Sequence, residues 1–126
     1  MRRICLIVAL FSLITAFLHD WGATASSDKP QSYTVLIEGM KFSPALIRIQ
    51  AGDTVMFRNV DLVPHTVTER SARLFDSGMI NRNDVWKFTA PGKGVFHYRC
   101  LYHPDMSGMI VIETKSQSSS VLNLRR

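Results

Sequence analysis

From Tyr33 to Thr114 the chain alternates apolar and polar residues with a period of two, in short runs rich in β-branched and aromatic side chains. Successive side chains of a strand point to opposite faces, so each run buries one face and wets the other. Nowhere is a helical period sustained long enough to compete. The runs are residues 33–38, 46–50, 54–59, 65–68, 74–76, 84–89, 95–100 and 109–114. Turn chemistry separates them, at Ser43-Pro44, Ala51-Gly52-Asp53, Asn81-Arg82-Asn83 and Ala90-Pro91-Gly92. Short strands at this spacing predict an all-β fold, a Greek-key β-sandwich of about eight strands whose two inner faces share one core. A chain of 126 residues suffices for one such domain and excludes a large multi-domain enzyme.

The residues before this pattern read as an export signal. Arg2 and Arg3 precede a mainly apolar stretch at residues 4–18, and Ala23-Thr24-Ala25 offers a small-x-small cleavage site. His19 and Asp20 interrupt the apolar run before it reaches the roughly 20 residues of a membrane span. Cleavage is therefore favoured over retention as an anchor, and general secretion over twin-arginine export, since no polar residue precedes the arginine pair. The expected organisation is a signal peptide at 1–25, one domain at 26–115 and a Ser-rich tail at 116–126 that has lost the alternation. The product is expected in the periplasm or secreted, as a monomer without a membrane span.

Cleavage removes Cys5 and leaves Cys100 alone in the exported chain. A lone cysteine there cannot form an intramolecular disulfide, so it is a buried bystander, an intermolecular link, a reactive thiol or a metal ligand. The exported part carries 13 basic and 9 acidic residues, a net charge of +4. That excess reads as solubility, and no nucleic-acid partner is expected from it.

The stretch Val95-Phe96-His97-Tyr98-Arg99-Cys100-Leu101-Tyr102-His103-Pro104-Asp105-Met106 decides among the roles of Cys100. A strand delivers Cys100 to its end, His103 follows three positions on, and Met106 three after that. Thiolate, imidazole and thioether together favour copper cycling between Cu(I) and Cu(II) over hard ions. His65, after Val63-Pro64, supplies a second imidazole from the start of another expected strand. Taken singly, a strand cysteine is most often a small buried hydrophobe and a loop methionine core filler. It is the spacing, with Pro64-His65 upstream, that makes the set a metal site. His97 alternates with Phe96, Tyr98 and Cys100, so it is expected outside, away from any metal.

With these residues in place the chain resembles a cupredoxin, and its short Cys-x2-His-Pro-x-Met loop is similar to that of the amicyanin-like branch. Met40-Lys41-Phe42-Ser43-Pro44, Ala51-Gly52-Asp53-Thr54-Val55, Asn59, Pro64-His65-Thr66-Val67, Phe75-Asp76-Ser77-Gly78 and Pro91-Gly92 extend the resemblance along most of the exported chain. It implies one type 1 copper ion per chain, with His65, Cys100 and His103 as equatorial ligands and Met106 as the axial one. It implies further that the Thr66 amide donates to the Cys100 sulfur. Amicyanins tend to have Asn there, and because the donor is main chain the exchange is expected to matter little. Asn59 is expected to tie the two ligand loops together, and Pro64 and Pro104 to stiffen them. Plastocyanins and pseudoazurins have a longer gap before the methionine, at a position held here by Gly108. A binuclear oxidase centre needs a second loop cysteine, which residues 101–107 lack.

The function so implied is a one-electron carrier between redox proteins such as a dehydrogenase, cytochrome or oxidase, with no catalysis of its own. Transient docking is expected near His103, where Leu101 and Pro104 form a small apolar patch. The alternative is copper storage or delivery without electron shuttling. A copper enzyme of the nitrite reductase or multicopper oxidase kind needs more histidines than the three in the exported chain, His65, His97 and His103.

Overall fold

The computed structural model describes residues 29–71 and 74–115. The expected signal peptide with Cys5, and the tail 116–126, lie outside the described residues. Among the described residues eight strands form: β1 (Ser32–Glu38), β2 (Lys41–Ser43), β3 (Leu46–Gln50), β4 (Thr54–Asn59), β5 (Thr68–Glu69), β6 (Val85–Thr89), β7 (Gly94–Arg99) and β8 (Ser107–Glu113). They make two four-stranded sheets, ordered β2-β1-β4-β6 and β3-β8-β7-β5. β1 runs parallel to β4 and β3 parallel to β8, while the remaining pairs are antiparallel. No helix among the described residues is long and apolar enough to cross a membrane. The all-β sandwich expectation holds.

The period-two pattern does the sorting. Val35, Ile37, Val55, Phe57 and Phe88 of the first sheet face Ile47, Ile49, Tyr98, Ile110 and Ile112 of the second, and all are buried. Aromatic edges lock the centre: Tyr98 meets Phe42 at 4.9 Å and Phe57 at 5.4 Å between ring centroids, both nearly perpendicular. Tyr98 pairs in register with Gly108 of β8. A Cβ there would stand 2.3 Å from the Tyr98 ring and hydroxyl, so only glycine admits the tyrosine. The Tyr98 hydroxyl is buried without a hydrogen-bond partner among the described residues, and burial raises its pKa far above the usual phenol value.

Three elements depart from the sequence reading. The strand expected at 65–68 shrinks to Thr68–Glu69, because His65 exchanges both backbone hydrogen bonds with Ile80, and the Val67 amide goes to Ser77 Oγ. The strand expected at 74–76 reduces to one bridge between Asp76 and Thr68. The three-residue β2 was unforeseen. A run that short carries too little alternation to stand out, and its pairing with β1 is what makes it a strand.

Candidate metal centre

β7 turns Phe96 and Tyr98 inward, leaves His97 and Arg99 exposed as the alternation requires, and delivers Cys100 just past its end to a buried position. Beyond Arg99 the chain folds back on itself within six residues. The Cys100 amide donates to the Met106 carbonyl at 3.0 Å and the Met106 amide to the His103 carbonyl at 2.9 Å. Those two bonds close the loop and hold its side chains against the end of the sandwich. Across from it, the paired backbone bonds to Ile80 fix His65.

The loops bring three donor atoms together. Cys100 Sγ lies 3.8 Å from His65 Nδ1 and 3.6 Å from His103 Nδ1, and the two ring nitrogens are 3.2 Å apart. Three donors held trigonally at about 2.0–2.3 Å from one ion stand about 3.5–3.7 Å from one another. The separations thus suit a single metal ion, and the thiolate with two imidazoles suits copper among the available ions. Cys100 and His65 have no solvent exposure, whereas His103 is half-buried and reaches the surface. Met106 is buried at the loop's end. His97 is exposed on β7, as the alternation foretold, and lies outside the donor cluster found among the described residues.

Asp61 is a member of the site that the sequence reading missed. Its Oδ2 lies 3.0 Å from His65 Nε2, and the amides of Gly39 and Met40 donate to its two oxygens at 2.7 and 3.0 Å. Gly39 and Met40 both sit in the left-handed region, with φ of 59° and 60°, and there the turn aims both amides at Asp61. Partial burial opposes ionisation of Asp61, but the Met40 and Gly39 amides and the His65 ring outweigh it and hold the carboxyl below its usual range. Burial pushes the His65 imidazolium down, against the pull of Asp61. An ionised carboxylate only accepts, so neutral His65 carries its proton on Nε2 and turns the Nδ1 lone pair to the centre. The only sign in the sequence is an acidic residue four positions before His65.

The surroundings of Cys100 add one bond to the expected set and place another differently. The Thr66 amide does donate to Cys100 Sγ, at 3.3 Å. The Thr66 side chain matters as well, because its Oγ1 accepts from the Leu101 amide at 2.8 Å. That bond joins the His65 loop to the Cys100 loop, the tie expected of Asn59. Asn59 is buried and instead donates to the Val63 and Ile80 carbonyls and accepts from the Asp61 amide, bracing the His65 loop against the segment at Ile80. Pro64 is half-buried beside His65, and Pro104 is exposed beside His103. The apolar rim at this end is broader than Leu101 and Pro104, since Leu62, Val63 and Tyr102 are also exposed.

Comparison with known proteins agrees with this arrangement. The cupredoxin-like domain family matches residues 4–112. Amicyanin-alpha of Methylorubrum extorquens is 33% identical over 90% of this chain and 100% of its own length. The amicyanin of Paracoccus versutus is 30% identical over 71% of each chain. The solved Cu(I) structure of an amicyanin mutant superposes with a TM-score of 0.62 at 27% identity, covering 65% of this chain and 82% of that one. Fold, donor cluster and kinship lead to one conclusion: this chain belongs to the cupredoxin-like family and is amicyanin-like within it.

Proposed function

We propose that the chain is an exported type 1 copper protein that carries single electrons between partner redox proteins and catalyses no reaction itself. The observation behind this reading is the convergence of His65 Nδ1, Cys100 Sγ and His103 Nδ1 within 4.8 Å of one another at a buried loop cluster. In it, His65, Cys100 and His103 hold the metal, Met106 is the axial ligand, and residues 1–25 are a signal peptide removed on export. Bound copper would supply a one-electron couple between Cu(I) and Cu(II).

The protein's own part is to hold the donors still. Asp61 orients His65, the loop closed by Cys100 and Met106 keeps its shape, and burial excludes water and outside ligands from Cys100. Rigid donors suit an electron carrier, because little has to rearrange when the charge changes. His103, at the edge of the site, is the natural exit for the electron. Exposed Leu62, Leu101 and Tyr102 offer a small apolar surface for brief contact with a dehydrogenase, cytochrome or oxidase.

Copper-loaded protein should show an intense visible charge-transfer band from the Cys100 thiolate. Cys100→Ser should abolish the band while leaving the far-ultraviolet circular dichroism of the sandwich intact. A band that survives in Cys100→Ser would refute the assignment. Fast electron self-exchange with slow copper exchange would support a carrier over a copper store, and the reverse would favour storage.

A further inference from the structure

A chain of buried hydroxyl groups leads away from the candidate metal centre toward the surface. The Leu101 amide, directly after Cys100, donates to Thr66 Oγ1 at 2.8 Å. Thr68 Oγ1 lies 3.2 Å from Thr66 Oγ1 and 3.1 Å from Asp76 Oδ1. Thr66 and Thr68 are each only 2% exposed, whereas Asp76 is exposed. Residues two apart in an extended segment point to the same side, which aligns the two hydroxyls.

Thr68 links the two ends. Its hydroxyl is the donor toward both Thr66 Oγ1 and Asp76 Oδ1, so its one hydrogen is shared between them. Thr66 Oγ1 accepts from the Leu101 amide and from Thr68 together. Asp76 fixes the place of the Thr68 hydroxyl, and Thr68 in turn fixes the oxygen that holds the Leu101 amide. The bridge between Thr68 and Asp76 and the Gly78 amide, which donates to Asp76 Oδ1 at 2.9 Å, hold the far end in place.

We propose that Thr68 and Asp76 are positioning residues for the metal loop, acting through Thr66 to hold the Leu101 amide and with it the backbone that presents Cys100. The idea rests on the copper-carrier reading for its effect on the electron, but the chain of bonds can be tested without metal. Its two ends lie on different segments, and its negative terminus is on the surface. Asp76 is thus a point where a charge outside the site bears on the metal within it, favouring the oxidised, more positive state.

The experiment combines amide hydrogen exchange by NMR on the copper-free protein with reduction potentials and visible spectra of the copper-loaded protein, for Thr68→Val, Thr68→Ser and Asp76→Ala. In Thr68→Val the Leu101 amide should exchange about fivefold faster, the value of one net hydrogen bond. The charge-transfer band and the potential should shift with it. Thr68→Ser keeps the hydroxyl and should return all three readings to the parent values. Asp76→Ala should speed Leu101 exchange and raise the potential, since a negative charge that favoured the oxidised state is gone. Unchanged Leu101 exchange in both Thr68→Val and Asp76→Ala would overturn the proposal, as would a Thr68→Ser variant as impaired as Thr68→Val. If Thr68→Val does not fold, the exposed Asp76→Ala site decides on the same reading. Absence of an intense band in the parent protein would remove the copper-carrier reading, while Leu101 exchange would still decide whether the chain of bonds exists.

Discussion

Asp61 has more asked of it than its place in the sequence suggests. It satisfies two turn amides and the remote nitrogen of His65 with one carboxylate. Removing a partner that orients a ligand imidazole typically costs 10- to 100-fold in metal affinity. Asp61→Ala should therefore weaken copper binding by about that factor, measured by competition with a chelator of known affinity. An unchanged affinity would mean that packing alone orients His65. Tyr98 presents the opposite case, a buried hydroxyl with no partner among the described residues. Tyr98→Phe removes an unsatisfied group without opening a cavity, so thermal unfolding should show a neutral or slightly raised stability. A clear loss would reveal a partner for that hydroxyl in solution.

Strands β7 and β8 together decide how the metal loop is held, because their register sets Tyr98 against Gly108 and starts the loop at Cys100. Gly108→Ala would drive a methyl group into the Tyr98 ring, which is wedged against Phe42 and Phe57. Overpacking of this kind costs about 1–3 kcal/mol, to be read as a lowered midpoint in urea. Tyr98 is two residues from Cys100, so the same variant should also disturb the visible band. A destabilised variant with an unaltered band would show the strand to be decoupled from the loop. The turn between β1 and β2 is a second point of leverage, since it reaches the centre through Asp61 although no residue of it belongs to the donor cluster.

Folding as one unit ties stability to the site's ionisation. Burial holds the His65 pKa below its unfolded value of about 6.5. A histidine of that kind binds fewer protons folded than unfolded, so its contribution is present above about pH 6.5 and lost as pH falls below it. Asp61 adds a later loss: its carboxyl is depressed from 3.8, so its contribution disappears as pH falls through and below that value. The copper-free protein should lose stability from about pH 7 to pH 5, at no more than about 1.4 kcal/mol per pH unit for one proton. Chemical denaturation at several pH values measures this. Metal and proton compete for His65 Nδ1, so copper should shift the loss to lower pH. A stability independent of pH across that window would show that His65 is not held neutral.

The amino-acid sequence by itself determined the class of fold and singled out His65, Cys100 and His103, whose donor atoms the fold brings together. Period-two alternation is a local property of a strand, so β3 and β4 were legible to the residue and β7 nearly so. The spacing of Cys100, His103 and Met106 is equally local, set by one short loop. Tertiary structure alone decided what depends on segments far apart in the chain. The bridge of His65 to Ile80 cut short an expected strand, and the turn at Gly39 and Met40 closed on Asp61, some 20 residues away. Thr66, not Asn59, came to join the ligand loops, because its hydroxyl faces an amide 35 positions on. A hydrogen bond is made by whichever donor and acceptor packing brings within about 3 Å, and no pattern along the chain records which those will be.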